Sequence, residues 1–250
     1  MNVSPVPLPL APGAYQAVLR EQAAVFESVL RTSDLGTPVP TCGDWTLHDL
    51  GVHLAQASRF AAAVVRTGEL CREQFGPAAG ERIADWYAEG VASLLAVLGE
   101  ADPAAPTWAF GIQDATAALW FRRAALDSAV HLVDVQLATG AEVHVDPLIA
   151  ADGVDEVFAL MVPRVWSGSE HKPLPAPVAL RSTDTGHGWL IQPGDIPQAR
   201  PLDSGPATAT VEASAADLLL ALWKRQPAHP RWISGDPAAA NALLTSPLTL

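Results

Sequence analysis

Three residues of this 250-residue chain, His53, Asp127 and His131, are of types that bind a metal ion together. Asp127 and His131 stand four positions apart in a segment with helical patterning, and positions i and i+4 stack on one helix face. A facing helix that carries His53 supplies a third donor. Two imidazoles and one carboxylate leave a divalent ion an open position for water or substrate, as catalytic rather than structural zinc sites do. A D-x-x-x-H spacing also arises by chance on solvated helix faces, so spacing alone leaves both readings open.

Other candidates sort around this trio. Arg123 and Asp134 share the stripe of Asp127 and His131. Asp134 can orient His131 through its second ring nitrogen, as carboxylates do behind metal-bound histidines, and Arg123 suits pairing within the helix. His48 precedes His53 by five positions and falls on another helical face, a surface position. His144, His171, His187 and His229 lie in segments read as loops. Cys42 and Cys71 make no disulfide framework and read as small buried hydrophobes. Among eight tryptophans, Trp45, Trp120 and Trp223 read as core or pocket-wall anchors.

The elements that must position these groups are mostly helical over the first 140 or so residues. Tyr15, Val18, Leu19, Val25, Phe26, Val29 and Leu30 form an apolar stripe on a helix over about 13–32. After a loop from Ser33 to Asp44, Thr46 with Asp49 three positions on reads as a helix cap. Leu47, Leu50, Leu54, Ala57, Ala61 and Val64 then form a bundle seam, with His53 beside it. A third helix is expected over Glu81–Leu98 and a fourth over Asp114–Thr139, closed by Gly140. On the fourth, Trp120, Arg123, Asp127, His131 and Asp134 form a mostly polar stripe. It lies beside an apolar stripe of Leu119, Leu126, Val130, Val133 and Leu137. Four such helices predict a four-helix bundle, a fold that builds metal sites from facing helices.

A further helix is expected over Pro147–Arg164, and Ser167–Pro177 reads as a linker. Beyond it, Val178–Ser182, Trp189–Ile191 and Ala207–Glu212 read as strands. Ser214 caps a helix over Leu218–Arg225. A short strand at Trp232–Ile233 and a last helix over Pro237–Leu244 complete an α+β chain. Its expected domains are a bundle over 1–165 and a small α/β domain over 166–250.

Composition narrows the partners. With 49% hydrophobic and 17% charged residues the chain can bury an ample core without disulfides or a structural metal. A formal net charge of -12, with only 15 Lys and Arg, argues against nucleic acid and anionic membrane surfaces. Residues Met1–Gly13 hold four prolines and no basic side chain, unlike a signal peptide. No apolar run approaches the roughly 20 residues that span a bilayer. A soluble, cytoplasmic monomer is expected.

Three segments resemble the mycothiol-dependent maleylpyruvate isomerases of actinobacteria and their relatives. Val39-Pro40-Thr41-Cys42-Gly43-Asp44-Trp45-Thr46, leading to Asp49-Leu50-Gly51-Val52-His53, is similar to the family's V-P-T-C-x-x-W-T-x-x-D-L-x-x-H. Arg123 to Asp134 resembles its R-x-x-x-E-x-x-x-H-x-x-D helix. Ala215-Ala216-Asp217-Leu218-Leu219-Leu220, with Leu222-Trp223-Lys224-Arg225 and Gly235-Asp236, is similar to its A-x-D-L-L-L-x-L-W-G-R and G-D signatures. The likeness runs from about residue 14 to 244.

The resemblance implies a DinB-like bundle with His53, Asp127 and His131 as metal ligands, zinc or another divalent ion as cofactor, and mycothiol as thiol cosubstrate. It implies a small electrophilic substrate that is isomerised about a cis double bond or captured by S-transfer. Arg225 matches an arginine implicated in substrate handling, where it can hold a carboxylate bidentately; a salt bridge between domains explains it equally. Two departures stand out. Asp127 is one methylene shorter than the family's Glu, so it must approach from a displaced backbone or bind more weakly. That departure sustains a second reading, a member without productive metal binding that serves as a ligand-binding or regulatory protein or a metal-independent enzyme. Lys224 replaces a glycine, and reads as a solvated cation rather than an anion-binding one.

Overall fold

The computed structural model describes residues 8–167 and 171–249, so the start of the Met1–Gly13 stretch and part of the expected linker Ser167–Pro177 lie outside the described residues. The chain divides into two compact units, one over Pro9–Val143 and one containing His144–Leu250.

The first unit is a bundle of four helices. Helix α1 (Pro12–Thr32) starts with proline in its first turn, where the missing N–H costs nothing, and buries Tyr15, Leu19, Ala23, Phe26 and Leu30. Val25, expected on that face, is exposed. Helix α2 (Leu47–Thr67) opens with a complete capping box: the Thr46 hydroxyl accepts from the Asp49 amide and Asp49 reaches back to the Thr46 amide. It closes on Gly68 in the left-handed region, which satisfies the last carbonyls. Helix α3 spans Ile83–Glu100 and helix α4 Ala118–Thr139, with Gly140 as its left-handed cap. Around the bundle, α1 neighbours α3 and α4, and α2 neighbours the same two. His53 therefore sits on a helix adjacent to the one that carries Asp127 and His131.

Helix α4 departs from expectation at its start, and the structure decides between the two readings of its polar stripe. It starts four residues later, because Thr107 N–H bonds the carbonyl of Ala115, Pro106 pairs with Thr116, and Asp114 has a left-handed φ of 54° that no α-helix accepts. Its polar stripe is also an inside face: Trp120, Arg123, His131 and Asp134 are all buried, while Leu137 of the apolar stripe is exposed. Buried charges need partners, and the partners are the site described below.

In the second unit the segment grouped with the bundle on sequence packs against the sheet domain's own helix. Helix α5 (Pro147–Glu156) buries Ile149, Ala150, Ala151 and Val154 and lies on helix α7 (Ala215–Leu222). A Cβ on Gly153 would stand 2.8 Å from Leu219 Cδ1, so the glycine permits that close approach. The expected single helix over Pro147–Arg164 is interrupted by a π-helical turn, Val157–Met161, before helix α6 (Val162–Trp166). Pro163 explains the wider turn: it lacks an N–H, and its ring would crowd the carbonyl four residues earlier in regular helix.

The sheet has five strands: β1 Val178–Ser182, β2 Gly188–Gln192, β3 Gln198–Pro201, β4 Ala209–Ala213 and β5 Ile233–Gly235. Their order is β3-β2-β1-β4-β5, with β1 and β4 parallel and the other pairs antiparallel. Helix α8 (Pro237–Thr245) follows. Strand β3 has no sequence signature, being mostly exposed and ending on a proline, as an edge strand tolerates. Among the described residues no helix is long and apolar enough to cross a membrane.

Candidate metal centre

The register of α2 against α4 builds the site. Leu50 and Leu54 are buried and fix one face of α2 in the core, which leaves His53 half-buried beside them. From α4, Asp127 and His131 project on successive turns. One donor atom from each of His53, Asp127 and His131 lies within 4.8 Å of the others. The two imidazoles meet edge to face with centroids 5.0 Å apart, and the Trp45 indole packs on His53 at 5.0 Å. Trp45 is thus a partly exposed wall of the site.

Each donor is prepared for a cation. Asp134, with 0% exposure, lies 2.8 Å from His131 Nδ1. A carboxylate only accepts, so Nδ1 of His131 carries a proton, and in the neutral ring that leaves the lone pair on Nε2. Burial pushes the His53 pKa down, as do nearby His131 and Arg123, against the opposing pull of Asp127. His53 is therefore neutral at pH 7, as a ligand must be. Burial would raise Asp127, but the charge and hydrogen bond of Arg123, together with the adjacent His131 and His53 rings when these are protonated, outweigh it and bring the carboxyl to about 2. Arg123 and Asp127 form an ion pair one helical turn apart. A carboxylate has two oxygens and about four lone-pair sites, so this pairing leaves acceptor capacity for a metal. Two imidazoles with an anionic oxygen fit a divalent ion of the zinc type.

Sequence reasoning missed two residues here. Cys42, read as a small buried hydrophobe, is half-buried and donates its thiol to Asp134 Oδ2 at 3.3 Å. Thr41 donates its hydroxyl to Asp134 Oδ1 at 2.5 Å. Cys42, His131 and Asp134 form a second group of converging donor atoms. The signal was present, since Thr41 and Cys42 stand inside the segment that leads to His53.

The remaining candidates are placed elsewhere. His48 is exposed, with Nδ1 3.6 Å from Asp49. Cys71 packs at the edge of the bundle core. Trp120 is buried and donates to the carbonyl of Trp108 at 3.0 Å. Arg225 belongs to the second unit, just past α7, where its guanidinium donates to the Trp223 carbonyl at 2.9 Å and lies 5.6 Å from the buried Trp223 ring. The solvated reading of Lys224 needs correction. The residue is exposed, but its ammonium donates to the carbonyl of Leu244 in the last turn of α8.

Fold and site together define a helical bundle with a two-histidine, one-carboxylate centre between adjacent helices, joined in sequence to a small mixed-sheet unit. Family models assign both parts. Residues 17–136 match the mycothiol maleylpyruvate isomerase N-terminal domain and residues 149–242 match the C-terminal domain of that family. The chain belongs to the mycothiol-dependent maleylpyruvate isomerase family. Its fold is similar to that of the crystal structure of a mycothiol-dependent maleylpyruvate isomerase, with TM-score 0.58 and 14% identity over 84% of this chain and 88% of the other. A histidine-to-alanine variant of that enzyme matches with TM-score 0.57 and 13% identity over the same shares. No curated protein sequence is significantly similar.

Proposed function

We propose that this chain is a metal- and mycothiol-dependent isomerase of a small unsaturated acid resembling maleylpyruvate. The observation that carries the reading is the convergence of His53, Asp127 and His131 within 4.8 Å in a chain of this family. A divalent ion held by these three side chains would lower the pKa of an external thiol and so supply a thiolate at neutral pH.

The chain's own residues have definable tasks. Asp134 holds His131 in the tautomer that presents Nε2. Burial keeps His53 unprotonated. Arg123 keeps Asp127 ionised and limits its swing. Trp45, against His53, excludes water from one side of the ligand set. In the proposed reaction the thiolate sulfur adds to a carbon of the cis double bond and a proton is taken up at the enolic end. The adduct turns about the resulting single bond, and loss of the proton and the thiolate yields the trans acid. The thiol is regenerated. Attack on a substrate with a leaving group would instead consume it, which is the S-transferase outcome.

Elemental analysis of protein purified without chelators, beside an Asp127→Ala/His131→Ala variant, tests the site. About one zinc per wild-type chain, absent from the variant, is expected. Metal-free wild type after incubation with zinc would overturn the reading. Turnover of a cis unsaturated acid with catalytic rather than stoichiometric mycothiol separates isomerase from transferase.

A further inference from the structure

Asp134 is buried inside α4, yet two of the groups that donate to it come from a loop more than 90 positions earlier in the chain. That loop is stiff. Val39 is fully buried, its N–H bonds the Trp45 carbonyl at 2.8 Å, and its carbonyl accepts from Cys42 N–H at 3.1 Å. Trp45 N–H bonds the Cys42 carbonyl at 3.2 Å across a turn with Gly43 at φ +63°. The loop therefore delivers Thr41 Oγ1 to one oxygen of Asp134, and Cys42 Sγ to the oxygen that also faces His131 Nδ1.

We infer that Thr41 and Cys42 are a positioning pair that acts through Asp134 to fix the tautomer and ring angle of His131. The inference rests on the metal-centre reading for its consequence but not for its geometry. A hydroxyl and a thiol both donate to Asp134, so the carboxylate is held as an acceptor and its rotation about the side chain is stopped at both oxygens. Without them, Asp134 loses two of the donors that fix its orientation toward Nδ1, and His131 gains access to the tautomer that hides its Nε2 lone pair. Carboxylates behind ligating histidines affect metal affinity by about 10–100-fold, and groups that hold such a carboxylate act on the same quantity at one remove.

The test compares wild type, Thr41→Val/Cys42→Ala and Thr41→Ser/Cys42→Ser. Long-range proton–nitrogen NMR of the metal-free proteins at pH 8 reads the His131 tautomer, and competition against a chelator reads cobalt affinity. Wild type and the double-serine variant, which keeps both donors, are expected to show a single Nδ1–H tautomer. The Val/Ala variant is expected to show a tautomer mixture and about 10-fold weaker cobalt binding. An unchanged tautomer in the Val/Ala variant overturns the inference, as does equal loss in the double-serine variant, which would make the effect one of packing. Should the Val/Ala protein not fold, Cys42→Ala alone at its half-buried position carries the same two readouts. A wild type that binds no cobalt would fell the metal reading, and the tautomer comparison would still decide the role of Thr41 and Cys42.

Discussion

Arg123 pairs with Asp127 from one turn earlier on α4, so the carboxylate that faces two imidazoles is also the acceptor of a guanidinium. The side chains are 9% and 21% exposed, which makes the pair mostly desolvated. Asp127 has a short side chain, and a fixed cation on the same helix holds it in place.

Arg123→Met should leave Asp127 without that countercharge. For a pair buried to this degree the metal-free protein is expected to lose about 2–3 kcal/mol. Zinc should restore more thermal stability to the variant than to wild type, because the ion takes over the guanidinium's role and binding to the folded state alone stabilises it. Thermal melts with and without zinc check this. Asp127 lies below its ordinary value, so its contribution is present above the normal carboxylate range and fades as pH falls through about 2. An equal zinc-induced shift in both proteins would rule out competition between Arg123 and metal for Asp127.

The sequence made much of this legible and left a definable remainder. Helical periodicity placed α1 to α4 within a few residues. The i, i+4 rule put Asp127 and His131 on one face, and the distance from Asp134 to His131 agrees with its expected orienting role. Other relations were hidden. Pattern reading leaves the polar stripe on α4 open between a solvated face and the border of the core because it scores each side chain alone, whereas Arg123, Asp127, His131 and Asp134 compensate one another inside the protein. Thr41 and Cys42 reach Asp134 only through the fold of the loop, a relation across more than 90 residues that no local pattern encodes. Strand β3 escaped for a third reason: as an exposed edge it needs no apolar alternation.

Gly43 sits at φ +63° in the turn that delivers Cys42, and a Cβ there would meet nothing within 4 Å. Gly43→Ala therefore tests backbone conformation without a steric clash. It is expected to cost about 1 kcal/mol, the penalty for placing an L side chain in the left-handed region. A urea midpoint lowered at unchanged slope would show this. A loss of several kcal/mol would mean that the turn rearranges on substitution, and that the loop is less stiff than its hydrogen bonds imply.

In the second unit, Asp184 ties the turn between β1 and β2 to the start of α7. It accepts from the Ser182 hydroxyl at 2.6 Å and from the Ala215 amide at 2.9 Å, an orphan donor of the helix's first turn. Desolvation opposes the charge, but these hydrogen bonds prevail and the carboxyl is held below its usual range. A depressed carboxylate contributes stability above its unfolded value, near 3.9, and loses it as pH falls through the lower folded value. Asp184→Asn should thus be less stable than wild type by about 1 kcal/mol at pH 7. The gap should narrow below pH 4. A gap in denaturant midpoints that stays constant from pH 7 to pH 3 would show that charge is irrelevant there.

Lys224 occupies the residue after the cap of α7 with φ +60°, a position that favours glycine. Arg225 N–H bonds the Leu220 carbonyl at 2.8 Å and Lys224 N–H that of Ala221 at 3.2 Å, the paired bonds of a Schellman ending. The motif demands the left-handed conformation, and lysine bears it at a cost of about 1–2 kcal/mol. Part of that cost is offset because its ammonium reaches the Leu244 carbonyl near the negative end of the α8 dipole. Two substitutions separate the terms. Lys224→Ala keeps the strain and loses the bond, so it should destabilise by about 1 kcal/mol. Lys224→Gly loses the bond but relieves the strain, and should match wild type or exceed it by up to about 1 kcal/mol. Equal stabilities for the alanine and glycine variants would show that the helix ends without a left-handed residue. If both fell well below wild type, the Leu244 contact would outweigh the backbone strain, and the lysine would act as a clamp between α7 and α8.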